Sequence, residues 1–364
     1  MSADVVLVLN AGSSSLKFRV FAAQPGLQLL ANGRVTGIGN RAEFTVDDKP
    51  AGSLPEGADQ AQALAAIVEW IHSHDSDWRI RVVGHRIVHG GEHYAAPVAL
   101  SAQVMDKLEA LVPLAPLHQP HALAAVRTMA QIYPEPRQIG CFDTAFHANH
   151  APVFREYALP GALRVQGVRR YGFHGLSYEW SAQVLRERHP RLAAGRVVGA
   201  HLGNGASLCA MQAGKSIDTT MGMTALDGLP MGTRCGSIDP GVTLYMMRQL
   251  GMSGDEIDHV LSHESGLLGL SGISSDMRTL TESDSEQARF AVDFFCMMTA
   301  QHVGRMAVAL GGIDALVFTG GIGEHSVAVR KAICHHLAFL GPFEVLVVEA
   351  DEERMIAGHC LEFL

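Results

Sequence analysis

The fold is indicated by an apolar run that ends in small polar residues, Val5-Val-Leu-Val-Leu-Asn-Ala-Gly-Ser-Ser-Ser15. Val5 to Leu9 predicts a strand, and apolar alternation resumes over Leu16 to Val20 as a second strand after a tight turn. The pattern returns about 193 positions later as Leu202-Gly-Asn-Gly-Ala-Ser207. A repeat at that distance predicts two similar halves with a nucleotide between them, rather than a short-period solenoid.

Glycine is the strong compositional signal, with 38 of 364 residues, against a usual share of about 7%. The glycines cluster beside apolar runs, as in Ala315 to Phe318, which ends in Thr319-Gly-Gly-Ile-Gly-Glu324. Glycine permits tight turns that leave backbone N–H groups exposed. We therefore expect these turns to hold anionic oxygens.

Helices are predicted between the strands, because apolar residues recur at i, i+3 and i+4 over 59–74, 101–111, 177–188, 241–251 and 285–310. Strands with interspersed helices predict an α/β protein of two lobes. We place an N-terminal lobe at residues 1–148 and a C-terminal nucleotide-binding lobe at 149–353. The last segment, 354–364, is expected to pack back on the N-terminal lobe.

Composition excludes several classes of protein. Apolar residues make up 48% and charged residues 18% of the chain, which argues against a disordered protein. The net charge of −9 argues against nucleic acid as a partner, since duplex binding needs a basic face. No run reaches the ~18 apolar residues of a membrane span, and the first nine residues lack a basic signal region. The sequence predicts a soluble, cytoplasmic protein without a membrane partner.

Cysteine and histidine do not form a recognisable metal or disulfide pattern. The six cysteines are scattered without a Cys-x-x-Cys pair, so reduced thiols are expected. The nineteen histidines include no His-Glu-x-x-His, and a structural zinc site is disfavoured.

One arginine stands in a context suited to a small carboxylic acid, Gly84-His-Arg-Ile-Val-His-Gly-Gly91. On a strand, Arg86 and Val88 share one face, while His85, Ile87 and His89 share the other. A guanidinium beside an apolar side chain fits a carboxylate with a short alkyl tail. The alternative is a strand-end arginine in a surface ion pair.

Three further residues could carry chemistry. Asp143 lies in an apolar context, where metal positioning or proton handling competes with a simple capping role. His174 stands between aromatic and glycine neighbours, where it could approach phosphate or be a structural histidine. Arg234 lies in a flexible turn, which suits stabilisation of a transferring phosphoryl group, although an exposed turn arginine is the alternative.

Other nucleotide-binding motifs fit less well. The βαβ pattern around Gly321-Ile-Gly323 could bind phosphate at a helix start, but Ser326 occupies the third glycine position of a dinucleotide fingerprint. The sequence also lacks the Gly-x-x-x-x-Gly-Lys-[Ser/Thr] motif, which excludes a P-loop.

Taken together, the motifs resemble the acetokinase family, within the actin, sugar-kinase and Hsp70 fold group. The resemblance runs from Asn10 to Ala357 and is carried in order by nine stretches: Asn10-Ala-Gly-Ser-Ser-Ser-Leu-Lys17, Gly84-His-Arg-Ile-Val-His-Gly-Gly-Glu92, Leu114-Ala-Pro-Leu-His118, Phe142-Asp-Thr-Ala-Phe-His147, Arg170-Tyr-Gly-Phe-His-Gly175, His201-Leu-Gly-Asn-Gly-Ala-Ser207, Met231-Gly-Thr-Arg234, Ser274-Ser-Asp-Met-Arg278 and Phe318-Thr-Gly-Gly-Ile-Gly-Glu324. It implies a duplicated ribonuclease-H-like (actin-like ATPase) α/β fold of two lobes, with the nucleotide in the cleft, and a homodimer.

The resemblance implies reversible, Mg²⁺-dependent phosphoryl transfer from ATP to acetate, with Mn²⁺ as a possible substitute for the metal. It gives catalytic roles to Asp143, Arg86, His174, Arg234 and, in support, His118. The acid would lie against Arg86, Val88, Leu117 and Phe173, and Mg²⁺ would be held by Asn10 and Glu352. Nucleotide-binding roles fall to Ser15, Lys17, His201, Leu202, Gly203, Asn204, Gly205, Asp276, Met277, Arg278, Gly321, Ile322, Gly323, Glu324 and His325.

Several positions depart from the family pattern. Thr224-Ala-Leu-Asp-Gly228 stands where the family has Thr-Pro-Leu-Glu-Gly, and the smaller Ala225 could leave room for one more methylene. A methylene is worth only about 1–3 kcal/mol, so propionate or another short-chain acid is the alternative substrate. His325, Gln119 and Ser237 replace the usual Asn, Asn and Asp. A rival of another class is a catalytically idle nucleotide-binding regulator, and turnover with acetate would discriminate the two.

Overall fold

The computed structural model describes residues 3–74, 78–116 and 118–364, which form two compact units. Unit 1 extends to Ala145 and resumes from Asp351 to Leu364, and unit 2 spans Phe146–Ala350. The sequence predicts boundaries after residues 148 and 353. Strands and helices are numbered below in chain order.

Unit 1 contains an eight-stranded mixed sheet in the order β5-β4-β3-β2-β1-β6-β8-β7. Its strands are β1 (Ala3–Ala11), β2 (Ser15–Ala22), β3 (Leu29–Thr36), β4 (Glu43–Val46), β5 (Lys49–Ser53), β6 (Trp78–Ile87), β7 (Val98–Ala99) and β8 (Arg137–Phe142). β1 pairs antiparallel with β2 and parallel with β6, and β6 pairs parallel with β8. The carboxyl ends of β1, β6 and β8 therefore meet at one edge of the sheet.

The helices of unit 1 cover this sheet. They are α1 (Gln60–His74), α2 (Ala102–Glu109), α3 (Gln119–Ile132) and, from the C-terminal segment, α15 (Glu352–Leu361). α1 contributes Leu64 and Ile67 to a core with Leu7 and Phe18 of β1 and β2, all fully buried. α15 packs on β1 and β6, where Gly84 leaves room for Ile356 and Cys360. A short 3₁₀ turn, Val112–Leu114, precedes α3.

Unit 2 contains a five-stranded sheet in the order β11-β10-β9-β12-β13. Its strands are β9 (Arg196–Leu202), β10 (Ala206–Gln212), β11 (Lys215–Thr219), β12 (Ala315–Thr319) and β13 (Glu344–Val347). β9 pairs antiparallel with β10 and parallel with β12, as β1 does with β2 and β6. The repeat predicted from the sequence is thus present as two sheets with the same central arrangement.

The helices of unit 2 are α4 (Pro152–Arg155), α5 (Gly161–Arg164), α6 (Gly175–Arg188), α7 (Pro190–Ala193), α8 (Pro240–Arg248), α9 (Gly254–His259), α10 (Gly266–Ser271), α11 (Met277–Thr281), α12 (Glu286–Leu310), α13 (Gly320–His325) and α14 (Val327–His336). A π-helical turn, Val260–Glu264, lies between α9 and α10. Short 3₁₀ turns occupy Ala145–His147 and Ala338–Leu340. No helix formed by the described residues is long and apolar enough to cross a bilayer.

Three local expectations need correction. β6 ends at Ile87, so Val88 and His89 lie beyond the strand on which the sequence placed them. The glycine-rich segment after β12 is itself the short helix α13 rather than a tight turn before a helix, and it begins at Gly320, whose left-handed conformation redirects the chain. The predicted helix over 241–251 forms as α8, but none of its side chains is buried, although the spacing predicts an apolar packing face.

Candidate active site

Arg86 and Asp143 form a partly buried ion pair in unit 1. Arg86 lies near the end of β6 and Asp143 follows β8, and the parallel pairing of these strands brings the two together. The guanidinium binds the carboxylate at two points: Nε to Oδ1 at 3.0 Å and Nη2 to Oδ2 at 2.9 Å. Asp143 is 3% exposed. Burial opposes the charge of Arg86, but attraction to Asp143, Glu352 and Glu353 prevails and raises its pKa above the usual range.

The other residues predicted to handle the acid in unit 1 follow the same sheet edge. Val88 is half-buried directly after β6, and His118 is the residue that precedes α3. Leu117 lies outside the described residues. The neighbouring departure, Gln119, is fully buried: its side chain accepts from the His89 N–H at 3.2 Å and donates to the His89 carbonyl at 3.0 Å. Gln119 therefore ties α3 to the segment that follows Val88.

The residues predicted to bind metal lie at the ends of two elements. Asn10 is near the end of β1, and Glu352 begins α15. Glu353 accepts a hydrogen bond from Asn10 Nδ2 at 3.4 Å, and the charges of Glu352 and Glu353 help to raise the pKa of Arg86. Across residues 3–74, 78–116 and 118–364, no group of three or more His, Cys, Asp or Glu side chains is placed to hold a metal ion.

The hairpin between β1 and β2 carries the remaining predicted residues of unit 1. Lys17 pairs with Asn10 across the two strands and is exposed, while Ser15 is half-buried at the start of β2. The Gly12 N–H donates to the Ser15 carbonyl at 2.8 Å and closes the turn. The hairpin thus presents an exposed cation opposite the predicted metal ligand Asn10.

His174 of unit 2 is held by a hydroxyl pair. It precedes α6 in the left-handed conformation, with φ of 58°, after Gly172, whose φ is +80°. The imidazole Nδ1 lies 2.9 Å from Ser207 Oγ, which lies 2.6 Å from the hydroxyl of Tyr178. Burial raises the pKa of Tyr178 well above its usual value, so this hydroxyl stays protonated. When Tyr178 donates to Ser207 and Ser207 donates to Nδ1, the ring presents a protonated Nε2.

Phe173, predicted to contact the acid, is 2% exposed in unit 2. Its carbonyl accepts from His147 Nε2 at 3.0 Å, and His147 Nδ1 lies 2.7 Å from Ser216 Oγ. His150 Nε2 reaches the same hydroxyl at 2.6 Å. This buried histidine pair therefore supports the turn from which His174 projects.

His174, Gly205 and Arg234 converge in unit 2. A methyl group built on Gly205 would lie 3.5 Å from His174 Nε2 and 3.8 Å from Arg234 Nη1, so a side chain there would occupy the space between the two donors. His201 stacks on His174 with ring centroids 4.2 Å apart, and Ser177 Oγ lies 2.8 Å from its Nδ1. Burial lowers the pKa of Arg234, which donates from Nη1 to the Ala225 carbonyl at 3.1 Å. Cationic and neutral donors around a glycine have the chemistry to bind phosphoryl oxygens.

A cavity of about 820 Å³ in unit 2 contains much of the predicted nucleotide site. The predicted residues that line it are Gly203, Asn204, Asp276, Met277, Arg278, Gly321, Ile322 and His325. Ser275, Thr281, Glu282 and Ser326, to which the family resemblance assigns no nucleotide-binding role, line it as well. Asp276 caps α11 by accepting from the Arg278 N–H at 2.7 Å.

Leu202, Gly323 and Glu324 support this cavity rather than line it. Leu202 and Gly323 are buried. The Glu324 carboxylate accepts from the N–H groups of Gly320 at 2.8 Å and Ala350 at 3.0 Å. It therefore fixes α13 to the chain that follows β13, a use of Glu324 that its motif does not reveal.

The same central strand arrangement occurs in each of the two sheets, and the chain has the duplicated ribonuclease-H-like fold of the actin-like ATPases. The chain belongs to the acetokinase family, whose model matches residues 5–359. An acetate kinase of Rhodopseudomonas palustris (strain TIE-1) is 49% identical over 98% of this chain and 90% of the relative.

Two solved structures are similar over nearly their whole length. A propionate kinase from Francisella tularensis subsp. tularensis SCHU S4 superposes with a TM-score of 0.93 at 34% identity, covering 100% of both chains. An acetate kinase from Porphyromonas gingivalis superposes with a TM-score of 0.89 at 35% identity, covering 99% of both chains. The fold and family predicted from the motifs are confirmed.

Proposed function

We propose that this kinase transfers the γ-phosphoryl group of ATP reversibly to acetate and forms acetyl phosphate and ADP. The observation that carries the proposal is the convergence of His174 Nε2 and Arg234 Nη1 on Gly205, in a family whose relatives are named for this reaction. A regulator that only senses ATP does not need an arginine that binds the acid. We assign that role to Arg86, in addition to the role of Arg234 toward phosphate.

In the proposed mechanism Arg86 holds the acid, and Val88, Leu117 and Phe173 are the residues that the family resemblance assigns to its methyl group. A carboxylate oxygen of acetate attacks the γ-phosphorus in line, and the bond from phosphorus to the β–γ bridging oxygen breaks as ADP leaves. The carboxylate is already a nucleophile, so positioning and charge stabilisation supply the catalysis. Arg234 and His174 donate to the equatorial oxygens of the transferring group, and Asp143 keeps the Arg86 guanidinium oriented. His118 supports the same group.

The nucleotide binds in the 820 Å³ cavity, with Asp276, Met277 and Arg278 on one side of adenosine and Gly321, Ile322 and His325 on the other. His201, Gly203, Asn204 and Gly205 hold phosphate oxygens, with Ser15 and Lys17 as further phosphate ligands. This assignment is supported by the glycine positions, which let backbone N–H groups approach a polyphosphate closely.

The residues around Asn10 fit a magnesium ion. An amide oxygen and the carboxylates of Glu352 and Glu353 are hard oxygen donors, and Mg²⁺ commonly takes one or two carboxylates together with substrate phosphates. When bound, the ion neutralises phosphate charge; Mn²⁺ has the same ligand preference. Glu352→Gln should raise the Mg²⁺ concentration for half-maximal binding of the Mg–ADP complex, measured by calorimetry.

Propionate is the second candidate acid. It is supported by Ala225, which replaces a bulkier proline, and by the structural similarity to a propionate kinase. Acetate remains the first choice, because the acetate kinase of Rhodopseudomonas palustris is the more similar in sequence.

The helix α8 supports the proposal of a homodimer. No side chain of α8 is buried, and its apolar residues Val242 and Tyr245, which are three positions apart and share one face of the helix, are 44% and 57% exposed. An apolar helix face of this kind is typical of a subunit interface. Sedimentation at micromolar concentration should give twice the chain mass, and Tyr245→Lys should shift it toward the monomer. Cytoplasmic location and the lack of nucleic-acid and membrane partners stay predictions from the sequence.

Acyl phosphate formation trapped with hydroxylamine tests the function directly. The enzyme with ATP and Mg²⁺ is assayed with formate, acetate, propionate and butyrate. The highest kcat/KM is expected for acetate. A higher value for propionate changes the substrate and leaves the mechanism, whereas turnover of no acid by folded protein contradicts the proposal and favours the regulator.

A further inference from the structure

The loop that carries Arg234 is held from outside by backbone hydrogen bonds. The Met231 and Gly232 carbonyls accept from the N–H groups of Leu267 and Leu268 at 2.8 and 3.0 Å, and the Gly232 N–H donates to the Asn204 carbonyl at 3.1 Å. Within the loop, the Met231 N–H donates to the Arg234 carbonyl at 3.0 Å. The position of the Arg234 guanidinium therefore depends on the hydrogen bonds between this loop and the segment from α9 to α10.

The π-helical turn Val260–Glu264 lies at the centre of these contacts with the loop. In an α-helix the Ser265 N–H would donate to the Leu261 carbonyl. Here the Ser265 N–H donates to the Thr233 carbonyl at 3.0 Å, and the Leu261 carbonyl accepts from the Cys235 N–H at 3.0 Å. Hydrogen bonds that an α-helix would form within itself are thus made to the loop Met231–Cys235, called the arginine loop below. π-Helical turns often occur at functional sites.

Thr233 is bound to this turn in both directions. Its carbonyl accepts from Ser265, and its hydroxyl donates to the Ser262 carbonyl at 2.8 Å. Gly266, with φ of +61°, lies so close to the Met231 carbonyl that a Cβ there would overlap it. The backbones of Met231 and Gly266 are therefore in direct contact on one side of Thr233. The hydrogen bond from the Thr233 hydroxyl to the Ser262 carbonyl holds the other side.

We propose that Thr233 is a positioning residue for phosphoryl transfer, which orients Arg234 by anchoring its loop to the π-helical turn. The inference rests on the proposed function, because it assumes that Arg234 stabilises the transferring group. The hydrogen bond of the Thr233 hydroxyl acts only by positioning the Arg234 guanidinium. Its loss should therefore lower kcat and leave substrate binding nearly unchanged.

The test replaces the hydroxyl without changing the shape of the side chain. Thr233→Val should lower kcat on the order of 10- to 100-fold, since misplacing a catalytic group by about 1 Å costs this much. The KM values for acetate and ATP should stay within about threefold. Thr233→Ser, which keeps the hydroxyl, should restore kcat to within about threefold of the wild type.

Thr219→Val is the matched control. The Thr219 hydroxyl donates to the Leu208 carbonyl at the same 2.8 Å, is buried, and belongs to β11 rather than to the arginine loop. Both valine variants should lower the urea midpoint of unfolding, but only Thr233→Val should lower kcat. An equal fall of kcat in both would overturn the proposal, because it would mark a general effect of lost stability.

A double-mutant cycle separates this inference from the proposed function. In the Arg234→Ala background, Thr233→Val should reduce kcat by less than about threefold, since residues that act through one another are not additive. An undiminished loss in that background overturns the inference. A low kcat for Arg234→Ala with normal kcat for Thr233→Val defeats the inference alone, whereas normal kcat for Arg234→Ala defeats the assigned role of Arg234 as well.

Discussion

The guanidinium of Arg86 and the carboxylate of Asp143 form a two-point ion pair, with Nη2 and Oδ2 2.9 Å apart. Asp143 is almost fully buried, whereas the side chain of Arg86 is 19% exposed. Asp143 thus occupies one edge of the guanidinium and fixes its plane. The N–H groups of Nη1 and the second N–H of Nη2 can bind a second carboxylate, which is the role proposed for Arg86 toward the acid.

Arg86→Ala should raise the KM for acetate on the order of 30-fold or more, with little change in the KM for ATP, because loss of a buried charge partner costs roughly 2–5 kcal/mol. Steady-state kinetics with each substrate varied in turn measures both constants. Asp143 would be left buried without its cation, so circular dichroism must first show that the variant is folded. Equal increases in both KM values would contradict the assignment of Arg86 to the acid.

Ser207→Ala should lower kcat roughly 10-fold, because it removes the hydroxyl that orients the His174 ring. Tyr178→Phe should act in the same direction and more weakly, since Ser207 still faces the ring. Rapid-quench measurement of the phosphoryl-transfer step checks the effect apart from product release. A normal transfer rate in Ser207→Ala would show that His174 needs no orienting partner.

Asp227 and Ser237 should be energetically coupled. The Ser237 hydroxyl donates to Asp227 Oδ1 at 2.6 Å, and both positions depart from a family pattern that has Glu and Asp there. In this chain a hydrogen bond joins the Ser237 hydroxyl to the Asp227 carboxylate. The Glu and Asp of the family pattern would instead place two carboxylates, which repel each other, at these positions. Urea unfolding of Asp227→Ala, Ser237→Ala and the double variant should give a coupling free energy of about 0.5–1.5 kcal/mol. Additive effects would mean that the departures are independent.

The buried pair His147 and His150 should make the protein lose stability in mild acid. Burial, and then the charge of the neighbouring histidine, lowers the pKa of His147 to about 3; burial, and then Arg170, lowers the pKa of His150 to about 4. Below the unfolded value of about 6.5 the unfolded chain binds protons that the folded chain does not. The free energy of unfolding should therefore fall as pH decreases from 6.5 toward 4.

Each such histidine contributes a slope of up to about 1.4 kcal/mol per pH unit in that range. His150→Gln should remove one contribution, while His85 and His89, whose pKa values burial lowers to about 4, keep theirs. Urea unfolding at pH 7, 6, 5 and 4.5 measures the slope. The same slope in wild type and His150→Gln would show that His150 is protonated normally in the folded chain.

The sequence by itself determined the strands β1, β2, β9, β10 and β12, the helices between them and the duplication of the central arrangement. These features depend on local periodicity and on glycine, which act over a few residues. The same local signals gave wrong predictions where packing decides the end of a strand or the burial of a helix. β6 ended earlier than the alternation predicts, and α8 buried none of its apolar residues.

Only the tertiary structure decided how the site residues are supported. Motifs located His174, Arg234 and Glu324, but not the Tyr178–Ser207 hydroxyl pair, the π-helical turn beneath Thr233 or the bonds from Glu324 to Gly320 and Ala350. Gln119, a departure in the sequence, proved to be a buried link to His89. Apart from Gly320 and Glu324, which are four positions apart, these partners are 26 to 30 positions apart in the chain. They are chosen by which polar groups packing brings together without water. A single sequence carries no periodic signal for that choice, since a buried donor must be satisfied by whichever acceptor the fold places beside it.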